Sequence, residues 1–525
     1  MSGGNRMVMG RIDFLSPMVL IKGARRNPSP IFMVLGLLLS NCSSTEQSSR
    51  EETPNPVHTI GSIEPDSGFE GSDVTITGAH FGADTGNIGV RFNGTPATEI
   101  SFASEKQIST KVPKGATTGP VRVTVRSVAV ESSFDFKVLE TPKAPTLSEI
   151  SPTEGLVGTI LTITGDNFGR EASRILIKFN GIEAREITQI TPTEIKVVVP
   201  NGASSGPISV LKMGTEAIMG ANFRVMTPEN FKIAFLGDSH IGEAADAVLQ
   251  LIKQEGTHAV VHPGDLNYAE VPKDFEDNID GILGPDFPYF YGVGNHDDTV
   301  WNGAQGYQSY LEARFRRLGL PWKGQLGVLS SFSFQGIFFV TSAPDEFGIG
   351  TKQAGEHIAN ELKGSNAIWN ISLWHKNQHL MQIGGKRDEA GWDVYEASRR
   401  GGAIVATAHE HSYCRTFEMA DFQTQIISST ETTVQLQRDN PSTEQMDEGR
   451  SFAFVSGLGG KSIRDAEDGL ENNPWWADVY HSGNGAQYGA LFGEFNYNGD
   501  VTLARFYFKD IDGVVRDVFF VRSHN

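Results

Sequence analysis

Ten residues of this chain occur twice, at a constant spacing of 87 positions and without a gap. Pro65, Gly78, Phe81, Gly82, Phe92, Asn93, Gly94, Pro113, Gly119 and Pro120 recur as Pro152, Gly165, Phe168, Gly169, Phe179, Asn180, Gly181, Pro200, Gly206 and Pro207. A gapless repeat of that length means one small fold built twice. Within each copy, alternating segments such as 74–77 and 161–164 are separated by Gly, Asn and Pro. That is the pattern of a small antiparallel sandwich. Asn93-Gly94 and Asn180-Gly181 read as tight hairpin turns.

Downstream of the repeat the pattern changes. Five short motifs follow one another: Gly237-Asp238-Ser239-His240, Gly264-Asp265-Leu266-Asn267-Tyr268, Gly294-Asn295-His296-Asp297, Trp374-His375 and Ala408-His409-Glu410-His411. Each ends an apolar, β-rich run, at 231–236, 259–262, 289–293, 371–374 and 403–407. Such runs read as buried strands. Amphipathic stretches at 244–253 and 307–317 lie between some of them, which predicts an α/β domain. Open α/β sheets gather ligands at the carboxyl ends of their strands, where these motifs fall. Carboxylate and amide oxygens combined with imidazoles suit Mn, Fe and Zn. Two such ions a few ångströms apart form a clamp for phosphoryl transfer to water. Side chains two apart in a strand share a face. On that basis Asp238 and His240 should reach one metal together, as should His409 and His411.

The order and wording of the five motifs resemble the calcineurin-like metallophosphoesterases, over roughly residues 230–525. The one departure is Ala408, where the family has Gly. The resemblance implies a four-layered α/β/β/α domain that hydrolyses phosphate esters by metal-activated hydroxide. It assigns Asp238, His240 and His411 to a first metal, Asn295, His375 and His409 to a second, and Asp265 to both. His296 would protonate the leaving oxygen or hold the phosphate together with Asn295, and Asp297 would orient the His296 ring. Arg415 is a further candidate phosphate contact. The wording of the second motif also resembles the purple acid phosphatases, in which the Tyr binds ferric iron; Tyr268 stands at that position. This chain carries both His240 and Tyr268, and the preferred reading has His240 as ligand with Tyr268 behind it. The ions would be divalent or mixed-valence Mn, Fe or Zn, with Fe(III) if Tyr268 ligates. Trp301, Trp322 and Trp392 are candidates to line the cleft, and the polar stretch 418–450 reads as a flap beside it.

The repeated segment resembles the immunoglobulin-like IPT/TIG fold, through its I-x-P-x-x-G opening, T-G-x-x-F-G turn and V-P-x-G-x-x-G-P close. The expected architecture is therefore multidomain: two all-β Ig-like sandwiches at 57–139 and 144–226, then the metallophosphoesterase domain at 230–525. The sandwiches are read first as spacers, with carbohydrate or protein contact as the alternative.

A net charge of −19 leaves no basic excess to displace counterions from nucleic acid, and no such partner is expected. The chain has two Cys. Cys42 closes the apolar run 31–39, downstream of Lys22, Arg25 and Arg26, in the manner of a secretory signal. The ending resembles a bacterial lipobox, with Asn41 a departure from its usual small residue. Residues 1–42 are accordingly expected to be a signal segment, Cys42 the lipidation site and 43–56 a polar tether. The chain would then be an exported lipoprotein anchored in a membrane and facing the periplasm or cell surface. The rival reading is a cell-surface adhesion protein whose phosphoesterase domain is vestigial.

Overall fold

A computed structural model describes residues 57–141, 143–440 and 448–525. Cys42 and the 43–56 tether lie outside the described residues. No helix among the described residues is long and apolar enough to cross a membrane.

Both repeats are two-sheet sandwiches with the same strand order. In the first, the strands Thr59–Glu64, Asp73–Ala79, Gln107–Lys111 and Ile100–Ala103 form one sheet. The second repeat builds its counterpart from Thr146–Ser151, Ile160–Asp166, Glu194–Val198 and Ile187–Ile190. The 87-residue spacing extends to apolar positions the repeat did not flag. Ile63, Val74, Ile76, Ile108, Val121, Val123 and Phe136 fill the first core. Ile150, Leu161, Ile163, Ile195, Ile208, Val210 and Phe223 fill the second. An edge-to-face ring pair closes each, Phe92 on Phe136 and Phe179 on Phe223. Asn93-Gly94 and Asn180-Gly181 both have positive φ, as a tight hairpin requires. The Asn side chains do a second job. Asn93 donates to Thr118 O and Asn180 to Ser205 O, pinning the loop that closes each sandwich.

The second sandwich is docked on the α/β domain. Asn201 Nδ2 donates to Leu318 O at 3.1 Å and Asn366 Nδ2 to Ser205 O at 3.3 Å. A Cβ on Gly202 would overlap the Pro321 ring.

Two large sheets face one another in the α/β domain. The first runs in the order Tyr289–Tyr291, Ala259–His262, Phe231–Phe235, Gly489–Tyr497, Asp500–Asp510, Val515–Ser523 and Thr433–Leu436. Its first three strands are parallel. In the second sheet Ile337–Thr341, Trp369–Leu373, Ile404–Thr407 and Ala453–Ser456 are parallel neighbours. Phe235, Phe454 and Phe506 meet between the sheets. The helix Glu243–Gln254 packs on the first sheet, and Thr351–Lys363 and Asp393–Arg400 pack on the second. This is the expected four-layered arrangement. Strands covered on both faces explain the continuous apolar runs of the sequence. The stretch 418–450 is not a free flap where it is described. Glu418–Asp421 and Ile426–Ser429 form a hairpin, and Thr433–Leu436 adds a parallel strand to Val515–Ser523.

Glu255 ties the helix Glu243–Gln254 to the sheet. Burial alone would raise its carboxyl, but Lys509, Tyr507 and Lys232 outweigh burial and hold it at about 2. A carboxyl held below its unfolded value of 4.5 stabilises the fold above that pH and stops doing so as pH falls toward 2. Glu255→Gln is therefore expected to destabilise the domain at pH 7 and to matter progressively less below about pH 4.5. Chemical denaturation of both proteins at pH 7 and pH 3 measures this, and a difference that ignores pH would show that the charge is not its source.

Candidate metal centre

Each of the five motifs begins just past the carboxyl end of a parallel strand: Phe231–Phe235, Ala259–His262, Tyr289–Tyr291, Trp369–Leu373 and Ile404–Thr407. Three strands belong to one sheet and two to the other, so the candidate ligands converge where the carboxyl ends of the two sheets' strands meet. The turns after the strands are sharp. Asp238, Asp265 and His409 have φ of 54°, 56° and 72°. Left-handed backbone at a non-glycine residue costs on the order of 1–3 kcal/mol and collects at functional sites. A Cβ on Gly294 would overlap the Asp265 backbone and carboxylate, so glycine there lets the second and third motifs touch. Gly237 gives up its Cβ to the methyl of Ala408. That vacancy accommodates the alanine where the resemblance called for glycine.

The side chains form two groups that lean on each other. In the first, Tyr268 Oη lies 3.2 Å from Asp238 Oδ1 and 2.9 Å from His411 Nε2. His411 Nε2 is itself 3.3 Å from Asp238 Oδ1. In the second, His375 Nε2 lies 3.2 Å from Asp265 Oδ1 and 3.1 Å from His409 Nδ1. Asp265, His375 and His409 each offer a donor atom within 4.8 Å of the others, and all three are buried. Asp238 Oδ1, 4.0 Å from His375 Nε2, links the groups. Burial would raise Asp238, yet His411 and His375 hold it at about 2. Burial would also raise Asp265, and His375 more than offsets it. Burial and His375 push His409 down to about 4, leaving a neutral imidazole at neutral pH.

Several polar atoms in this centre lack what burial demands. Asn295 Oδ1, His375 Nδ1 and His240 Nδ1 are buried without a hydrogen-bond partner. Orphaned buried polar atoms are uncommon, and an ion is one of the things that satisfies them. The donor set has two carboxylates, three clustered imidazoles, a phenol and an amide oxygen aimed nowhere else. It fits hard-to-borderline ions.

The geometry corrects several expectations. His240 makes no hydrogen bond to Asp238, although its buried Nδ1 has no other partner. The strand ends at Phe235 and Asp238 turns left-handed, so the two-residue alternation of a strand no longer applies. The His240 ring stands edge-on to Tyr268 at 6.4 Å and lines a small cavity with Leu249, Phe275, Ile279 and Tyr289. It is Tyr268, read in the sequence as standing behind His240, whose hydroxyl contacts both Asp238 and His411. Asp297 does not orient the His296 ring. Its carboxylate accepts the backbone N–H groups of Gly294, Asp265 and Leu266 at 2.8, 2.8 and 3.0 Å. Burial and the Asp265 charge push that carboxyl up, against the pull of these donors. His296 donates its backbone N–H to Asp265 Oδ1 at 3.0 Å, and its ring rests 4.4 Å from that of Tyr268. Arg415 faces the interior between the sheets. Its Nε and Nη2 donate to Asp517 at 2.7 Å, its Nη1 donates to Thr416 O at 3.2 Å and its face covers Phe519, so the guanidinium is committed inside the fold. Trp301 is fully buried against Tyr291 and Tyr307, while Trp322 packs on Phe315 and Trp392 on Tyr395.

Two features went unmarked in the sequence. Glu389 Oε2 lies 2.9 Å from His409 Nε2, on the far side of the ring from His375. No motif surrounds it. The loop Gly457-Leu458-Gly459-Gly460-Lys461-Ser462 follows the strand Ala453–Ser456 and closes on the first group. Ser462 Oγ meets His411 Nδ1 at 2.5 Å. Its run of glycines after a strand was the available signal.

Residues 231–413 match the family model of the calcineurin-like phosphoesterases, and residues 59–138 and 145–230 match that of the IPT/TIG domain. The chain thus carries two IPT/TIG domains followed by a calcineurin-like phosphoesterase domain. Among curated proteins it resembles a cyclomaltodextrin glucanotransferase of Paenibacillus macerans, with 30% identity over 97 residues, 18% of this chain and 14% of that protein. It also resembles fibrocystin-L of Homo sapiens, with 30% identity over 146 residues, 27% of this chain and 3% of that protein. The chain therefore spans a small part of the curated relatives it matches. Among solved structures it is similar to purple acid phosphatase PPD1 from yellow lupin (Lupinus luteus) seeds, at a TM-score of 0.44 and 14% identity, covering 88% of this chain and 95% of that one. A surface glycan-binding protein of Prevotella bryantii matches at a TM-score of 0.18 and 21% identity, covering 34% and 45%.

Calcineurin-like phosphoesterases use binuclear metal centres. A carboxylate on the outer nitrogen of a metal-binding His fixes its tautomer, and losing it typically costs 10–100-fold in metal affinity. Glu389→Gln is expected to weaken metal binding by roughly that factor with the fold unchanged. Competition against a chromogenic chelator measures it, and unchanged affinity would reduce Glu389 to a surface contact of His409.

Proposed function

We propose that this chain is an exported phosphoesterase that hydrolyses phosphate esters at a two-metal centre. The observation that carries the reading is the pair of donor groups joined at their carboxylates: Asp238, His411 and Tyr268 on one side, Asp265, His375 and His409 on the other. Asp265 stands where both groups can share it, and Asn295 supplies an amide oxygen with no other partner. When bound, the metals supply Lewis acidity to the phosphoryl group and make water acidic. The chain's own residues do the rest. Asp297 fixes the backbone of Gly294 and Asp265, which sets where Asn295 and Asp265 point. His296, half-exposed at the edge of the cluster, is placed to hold a phosphate oxygen or to give a proton to the leaving oxygen.

Tyr268 rather than His240 completes the first group in this proposal. A phenolate favours a hard trivalent ion. The protein loaded with iron is expected to show a visible phenolate-to-iron absorption band that disappears in Tyr268→Phe. A band that persists in that variant, or none in the iron-loaded parent, would return the position to His240.

Export and membrane anchoring rest on the composition of residues 22–42 and on Cys42, which would carry the lipid. The IPT/TIG domains would hold the enzyme away from the membrane and are open to carbohydrate or protein contact. Metal analysis alongside p-nitrophenyl phosphate and bis-p-nitrophenyl phosphate assays tests the central claim. Asp265→Ala is expected to lower turnover by about a thousandfold or more while its circular dichroism stays native. A protein that binds no metal and turns over neither ester across Mn, Zn and Fe would instead be a binding protein with a vestigial site.

A further inference from the structure

The cations around the centre are mostly committed. Lys376 is paired with Glu346 at 2.6 Å and Asp345 at 3.2 Å. Lys386 donates to the His409 carbonyl and faces Glu410 at 3.9 Å. Arg387 sits 3.5 Å from Asp345 and 3.4 Å from Glu389. Arg464 sits 3.7 Å from Glu410, and Arg415 is tied to Asp517. Lys461 differs. Its Nζ lies 4.3 Å from the centroid of the Tyr268 ring and forms no ion pair among the described residues.

The loop that carries it is held against the first donor group at several points. Gly459 N donates to Gly237 O at 3.0 Å, Lys461 N to Asp238 O at 3.0 Å and Arg464 N to His411 O at 2.9 Å. The glycines are what allow this approach. A Cβ on Gly457 would overlap Glu410 O and crowd the Asp238 carboxylate, and one on Gly459 would overlap Gly237 O. The backbone of Lys461 is therefore fixed relative to Asp238 and His411. Its ammonium lies over the ring of Tyr268, whose hydroxyl touches both.

A partly buried ammonium with no carboxylate partner, beside a centre built for phosphate, is short of an anion. Lysine binds phosphate as a point charge. We propose that Lys461 is a specificity-determining residue that binds a non-bridging oxygen of the substrate phosphate and so favours phosphomonoesters over diesters. The inference rests on the phosphoesterase reading above and names its substrate class. A monoester is a dianion near neutral pH and can give oxygens to the metals and one to Lys461. A diester has one fewer anionic oxygen, and its second ester group would stand where the ammonium needs a charge.

The test uses the full-length protein with its metals, as parent, Lys461→Met and Lys461→Arg. For p-nitrophenyl phosphate, Lys461→Met is expected to raise KM about tenfold or more, a loss of about 1.4 kcal/mol, with kcat within about threefold. For bis-p-nitrophenyl phosphate, kcat/KM should move by less than about threefold. Lys461→Arg should recover most of the monoester KM, which a merely structural role would not predict. Inorganic phosphate, titrated calorimetrically, should bind the Met variant about tenfold more weakly. Equal losses on both esters, or no loss on either, overturn the proposal. If the parent hydrolyses neither ester, the phosphoesterase reading fails separately. The phosphate titration then decides Lys461 alone, and unchanged affinity in Lys461→Met overturns it.

Discussion

The backbone N–H of His409 donates to Asp238 Oδ2 at 2.7 Å, and this bond joins the carboxyl ends of the two sheets. Asp238 comes from one sheet and His409 from the other. With Oδ2 committed to that bond, Oδ1 is left for Tyr268 and His411. A second buried carboxylate, Asp297, does comparable work in the same centre. Asp297 gathers three backbone N–H groups from two motifs and is fully buried while doing so. Buried carboxylates without partners are expensive, whereas ones that accept several N–H donors rigidify what they hold. The centre is thus organised by acceptors aimed at backbone as much as by the side chains it presents.

Much of this was readable in advance because it depends on local pattern. Apolar runs ending in Gly-Asp or Gly-Asn-His-Asp state that a buried strand stops and a polar group follows, and each motif lies at such a stop. The sandwiches were legible through turn residues, and the spacing of those residues carried over to Ile63 and Ile150 or Phe136 and Phe223 in the cores. What the sequence did not settle is how the chain turns after a strand ends. Extending the strand rule past Phe235 put His240 beside Asp238, but Asp238 turns left-handed and the group that contacts its carboxylate is Tyr268. Arg415 failed for the complementary reason. Its partner Asp517 is 102 positions away, and no local pattern announces a pairing across two sheets. Glu389 is equally silent, since its meaning comes only from the His409 nitrogen it faces.

The docking of the second sandwich also changes how the chain is pictured. Two identical-looking modules suggest two equivalent spacers. The contacts of Asn201, Gly202 and Asn366 with the α/β domain make the second one part of the enzyme's surface.

The Gly237–Ala408 contact has a consequence for substitution at either position. There is room for a single methyl group between these two turns, which lie 171 positions apart. Either residue can carry it only while the other is glycine. With alanine at 408, any side chain at 237 would have to displace its methyl. The first and fifth motifs are thus sterically coupled: a change at either turn is felt at the other before any metal is bound.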